Sequence, residues 1–158
     1  MDVSLRCQKN SFTYIRLRGA YCVAASLALL GGIAIYVFFR DTNNLLVFRY
    51  FPQLLFLVEI RTIPVNTDTI WGYFFVFNLL HGLWCLSGLL VIRAIWLTNV
   101  KWWAIYGGTF ITAASLLEFA QLNENIPGTF DVFDLTAYGV FALAESAIFN
   151  MSIRRRFL

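Results

Sequence analysis

The sequence predicts an all-α integral membrane protein, a four-helix transmembrane bundle with an interfacial or re-entrant segment between the first two spans, forming a single domain over residues 1–158. Three observations carry that reading. The chain is 59% hydrophobic and only 13% charged, against roughly half and a quarter in soluble domains. Its mean hydropathy is +0.69, and its apolar residues come in uncharged runs about as long as a bilayer is thick. Nine of its twelve Lys and Arg gather before the first run, between the second and third and after the fourth, with Arg40, Arg49 and Arg61 on the opposite side, an imbalance of the kind that orients membrane proteins.

The first span covers 19–39, a run without charge. Arg6, Lys9, Arg16 and Arg18 precede it. The run exceeds the 7–15 residues of a signal-peptide core and ends in bulky side chains, so it reads as a retained helix. Ala20, Ala24, Ala28 and Gly32 recur at every fourth position. Small residues on a stripe permit close helix approach, which serves either a dimer face or, the ordinary use, a contact within the bundle.

Residues 44–60 contain Arg49, Pro52 and Glu59. Pro removes a backbone donor and bends a helix, hence the expectation of an interfacial or re-entrant segment. The second span covers 71–92 and is closed by Arg93; the third covers 102–122 and the fourth 131–153. Trp71, Tyr73, Trp102, Trp103 and Tyr106 lie near span ends, where amphipathic rings anchor to the interface. Arg93 and Lys101 separate spans two and three, and Arg154, Arg155 and Arg156 follow span four. Both termini are therefore expected on the cytoplasmic side, with the connection between spans three and four outside.

That outer connection is acidic. Residues 118–139 hold Glu118, Glu124, Asp131 and Asp134. Glu118 and Gln121 are three apart and share a helix face, as do Asp131 and Asp134 at the start of span four. Thr129 or Asp131 can cap that helix, since a side-chain oxygen there accepts from free backbone N–H groups. Glu118 needs a partner if it lies below the interface.

Glu145 falls 11 residues beyond Asp134, about 16 Å along a helix, and must face protein or a cavity. His81, the single histidine, is expected at a comparable depth, which makes a His81–Glu145 contact feasible. His81 is read either as a proton donor or acceptor beside a polar cavity or as a neutral hydrogen-bonding link between helices. Asn78 and Cys85 lie on a similar face.

The Glu118-x-x-Gln121 helix end, the short turn and the Thr129-Phe130-Asp131-x-x-Asp134-Leu135 step resemble the VanZ-like family of small bacterial membrane proteins, and Leu79-Leu80-His81 is similar to the histidine-bearing second helix of that family. The resemblance covers the second half of the chain through these motifs and the first half by helix layout. It departs from the pattern at Gly128, where the family has Arg, at Tyr138 in place of Asn, and at Phe77-Asn78 in place of Asp-Lys. Without that Arg, Glu118, Asp131 and Asp134 lack an obvious intramolecular cation.

The resemblance implies a cell-envelope membrane protein, set in a bacterial inner membrane, without fixing a reaction. From the residues, two functions compete: an external acidic cluster that binds a lipid headgroup, with Glu118, Gln121, Asp131, Asp134, His81 and Glu145 as ligand or interface candidates, and a non-catalytic accessory subunit of a larger membrane complex. The expected partners are membrane lipid or other membrane subunits, and no nucleic acid, because the net charge of +3 arises from flanks whose Lys and Arg already serve topology. No metal-ligand spacing, catalytic nucleophile or specific cofactor signature is visible.

Overall fold

The computed structural model describes the backbone of residues 3–39, 53, 66–122 and 130–157, and the side chains of 13–39, 53, 66–122 and 130–150. The segment 44–60, apart from residue 53, and the turn 123–129 lie outside the described residues. Those that are described form four long helices and no strand. They are α1 (Val3–Phe39), α2 (Ile70–Ile95), α3 (Val100–Ala120) and α4 (Val132–Phe157).

Three helices are long and apolar enough to cross a membrane, namely Thr13–Phe39 within α1, Ile70–Ile95, and Val132–Asn150 within α4. The chain is in this respect an integral membrane protein. At 21 residues α3 is about 32 Å long, but Lys101, Glu118 and its Gly, Thr and Ser residues dilute its apolar character. Outward-facing Val23, Leu27 and Leu30 are exposed, as side chains solvated by lipid are.

α2 is the central helix, touching all three others. α1 packs antiparallel to it: Tyr21 joins Leu90, Ala94 and Leu97 at one end, and Phe39 meets Phe75 edge-on at the other. Between them the Ser87 hydroxyl donates to the Ala25 carbonyl at 2.9 Å. The buried seam of α1 runs Tyr21, Ala25, Ala28, Gly32, Ile35, alternating four and three residues. Ala28 and Gly32 thus belong to the expected stripe and to the seam, whereas Ala20 and Ala24 are exposed. The cause is geometric. Steps of four overshoot the 3.6-residue turn, so a strict four-residue stripe winds off a straight contact while alternating steps stay on it.

Helix starts follow local chemistry. Thr69 caps α2 by accepting from the Gly72 N–H at 3.1 Å, and Asn99 caps α3 by accepting from Trp102 N–H at 3.2 Å. Asp131 does the same for α4 through Phe133 N–H at 2.8 Å. Each satisfies a donor that the first helical turn leaves free. Trp96, Trp102 and Tyr106 stack at the α2–α3 corner.

α2 and α4 run parallel, both starting at the end where Asp131 lies. Gly82 sits against the ring of Phe141, where a Cβ would collide with it. Glycine at this position lets the two backbones approach while the ring fills the groove. Near its start α2 departs from regularity: Phe74–Asn78 form a π-helical turn, with Leu79 N–H bonding to Phe74 O, five residues back.

Candidate functional site

A polar network joins the first turns of α2 and α4 to the last turn of α3. Asp134 is buried, at 4% exposure. Its Oδ1 accepts from Asn78 Nδ2 at 2.9 Å and lies 2.8 Å from His81 Nδ1. That ring nitrogen makes no hydrogen bond among the described residues, so the His81–Asp134 contact is a close approach of the two groups. Asn78 also donates to Asp131 Oδ2 at 3.2 Å, and Tyr73 donates its hydroxyl to the same oxygen at 2.9 Å. Glu118, also buried, accepts the backbone N–H of Asp131 at 2.9 Å and has Gln121 Nε2 at 3.5 Å.

The π-helical turn explains how α2 supplies three of these groups. In a regular α-helix Tyr73 and Asn78, five apart, point in different directions, whereas an i→i+5 turn stacks them. Both therefore reach one oxygen of Asp131. His81 follows one α-helical step later and meets Asp134, three residues beyond Asp131 and on the same face of α4.

Partial burial alone raises the Asp131 carboxyl pKa. The Phe133 N–H, Asn78 and Tyr73 hydrogen bonds and the nearby His81 charge outweigh it and hold the group below its ordinary value. Hydrogen bonds to the charged form stabilise it.

A second polar contact lies deeper. Glu145, fully buried, pairs with Arg93, at 1% exposure; Arg93 Nε donates to Oε1 at 2.7 Å and Nη2 to Oε2 at 3.1 Å. The guanidinium is sandwiched between Trp103 and Phe149, 3.6 and 3.7 Å from their ring centres. Aromatic faces on both sides offset part of the desolvation of that charge.

Glu118, Gln121, Asp131, Asp134 and His81 thus come together in one network, while Glu145 stands apart from it. The feasible His81–Glu145 contact is replaced by His81–Asp134 and Arg93–Glu145. Parallel helices pair residues at equal depth: Arg93 is 12 residues beyond His81, Glu145 11 beyond Asp134, so the two contacts form rungs of one ladder. The carboxylates also have partners beyond the expected ones. Asn78 stands on the face anticipated for it, but Tyr73 reads from sequence as an interfacial anchor and Arg93 as a charge that closes a span. For Arg93 the usable signal is Glu145, a mid-helix carboxylate that requires a cation.

Among the described residues no group of His, Cys, Asp and Glu could hold a metal ion. The network offers acceptors flanked by one histidine and the Tyr73 hydroxyl, a set suited to binding a donor or moving a proton. No family model, curated protein or solved structure matches the chain.

Proposed function

We propose that this chain is a VanZ-like protein of the bacterial cell envelope whose acidic network binds a lipid headgroup. The observation that carries the binding reading is the geometry of Asp131: partly exposed, held below its ordinary pKa and gripped by Tyr73, Asn78 and Phe133 N–H. It is an anionic acceptor fixed in place before any ligand arrives, and preorganisation of this kind lowers the cost of binding. Asp134 and Glu118 stand behind it as buried supports. The VanZ-like label rests on the Glu118, Gln121, Thr129–Asp131, Asp134 and Leu135 pattern together with His81.

In this reading α3 is the fourth span and completes a four-helix bundle in the inner membrane. The basic flanks support cytoplasmic termini, which puts the network at the outer face. Asp131 then lies level with the outer leaflet's headgroups.

A second reading, a non-catalytic accessory subunit, draws on α3, where only Gly107 and Glu118 are buried and Leu116, Leu117 and Phe119 are exposed. Such a helix has apolar surface to give to another subunit. Native mass spectrometry of the protein gently extracted from its own membrane separates the two. A monomer or dimer that retains lipid, and loses it on Asp131→Asn, supports the headgroup site. A complex of fixed composition with unrelated chains, unaffected by that substitution, supports the subunit.

A further inference from the structure

Beside the network, and sharing two of its residues, is an apolar cavity of about 250 Å³ lined by Ile70, Trp71, Tyr73, Phe74, Asn78 and Phe133. It is small beside the pockets of roughly 300–1,000 Å³ that enclose whole ligands, so it takes part of a molecule. Trp71 and Ile70 on its rim are 80% and 70% exposed, and it therefore opens outward at the start of α2. Asn78 belongs to both places. Its Nδ2 donates to Asp131 and Asp134, whereas its Oδ1 is buried and has no hydrogen-bond partner among the described residues. A buried amide oxygen without a donor is costly, and the residue that carries it both lines the cavity and holds the two carboxylates.

The charges favour one kind of donor. Among the described residues the one basic side chain in contact with these carboxylates is His81, on Asp134, and no Lys or Arg pairs with Glu118, Asp131 or Asp134. An ammonium group supplies several N–H donors and a compensating charge at once.

Building on the headgroup reading, we infer that the site takes a membrane lipid whose headgroup ends in a primary ammonium, with that group on Asp131 beside Asn78 and part of an acyl chain in the cavity between Trp71 and Phe133. Neither half suffices. The acidic network alone favours positive charge without further selectivity, and the cavity alone favours hydrocarbon; their adjacency selects an amphiphile. The lipid phosphate remains on the water side, away from the carboxylates.

The test uses the full chain in nanodiscs of phosphatidylcholine carrying either phosphatidylethanolamine or phosphatidylglycerol as minor component, with retained lipids counted by native mass spectrometry. The two minor lipids share a phosphate and differ in the ammonium. Phosphatidylethanolamine is expected to be enriched on the protein about tenfold over phosphatidylglycerol, the ratio corresponding to one charge-assisted contact. Asp131→Asn is expected to remove that preference. Phe133→Ala is expected to weaken retention of the lipid while leaving binding of glycerophosphoethanolamine, the same headgroup without chains, unchanged.

Equal retention of both lipids by the wild type overturns the ammonium assignment. Retention indifferent to Phe133→Ala, or chainless headgroup bound as tightly as lipid, overturns the cavity's part and leaves the headgroup reading standing. Phosphatidylethanolamine enrichment that survives both Asp131→Asn and Glu118→Gln defeats the headgroup reading itself. Folding of each variant is checked by its helical circular dichroism, and Phe133→Leu, which keeps an apolar side chain, replaces Phe133→Ala if the latter fails to fold.

Discussion

Arg93 and Glu145 lock α2 to α4 through a two-point ion pair at 2.7 and 3.1 Å, with both side chains almost wholly removed from the surface. Removing one member of such a pair strands the other's charge, and this costs more than the pair itself contributes. Glu145→Ala is expected to destabilise the protein by about 3–5 kcal/mol. Replacing both residues by Leu is expected to recover most of that loss. Unfolding in detergent micelles of the two single variants and the double variant provides the check.

The seam of α1 gives a sharper contrast. A Cβ on Gly32 meets the ring of Trp84, while Ala24 faces outward. Gly32→Leu is expected to lose about 1–3 kcal/mol through overpacking, and Ala24→Leu to stay within about 0.5 kcal/mol of the wild type. Thermal melts of the two variants in one detergent decide the matter. Equal effects would mean that the four-residue stripe, not the alternating seam, makes the contact.

The π-helical turn is expected to be separable from the fold. Deleting Phe75 removes the extra residue and restores α-helical spacing, which leaves Tyr73 four residues from Asn78 on one α-helical face, so that Tyr73, Asn78 and His81 keep their places. Helical content and the Tyr73–Asp131 hydrogen bond should both persist. Tyrosine ultraviolet resonance Raman, compared with Tyr73→Phe, reports that bond.

Acid stability follows from Asp131. Its carboxyl pKa is lower in the folded protein than the ordinary value near 3.9, so the unfolded chain binds its proton first as pH falls. The stabilisation is complete above the ordinary value and declines as pH drops through it toward the folded one. Asp131→Asn, which keeps an amide oxygen for the cap, lacks this titration, so the stability advantage of the wild type over the variant is expected to narrow as pH falls through that acid window. Melting temperatures recorded from pH 6 down to pH 3 measure it.

Much of the architecture is legible in the sequence because lipid imposes length and composition together. The runs 19–39, 71–92, 102–122 and 131–153 each fall on a helix of the structure, although α1 begins at Val3 and α2 continues to Ile95. The second extension matters most, since it carries Arg93 inside. Glu118, Gln121, Asp131 and Asp134 cluster as their three-residue spacings suggest. Two things were not legible. The π-helical turn has no periodic signature, so nothing in Phe74–Asn78 shows that Tyr73 joins the site. The ladder of contacts between α2 and α4 depends on which helices are neighbours and run parallel, information that periodicity within one helix does not contain.

His81 is the single histidine of the chain and lies 2.8 Å from Asp134, so its imidazole resonances give an unambiguous probe inside the proposed site. The decisive measurement is the NMR signal of His81 as phosphatidylethanolamine is added to the protein in maltoside micelles, with phosphatidylglycerol as the control. The account predicts a saturable shift with the former that Asp131→Asn abolishes. A resonance that stays fixed, or moves identically with both lipids and in the variant, would contradict the assignment of this network as a headgroup site.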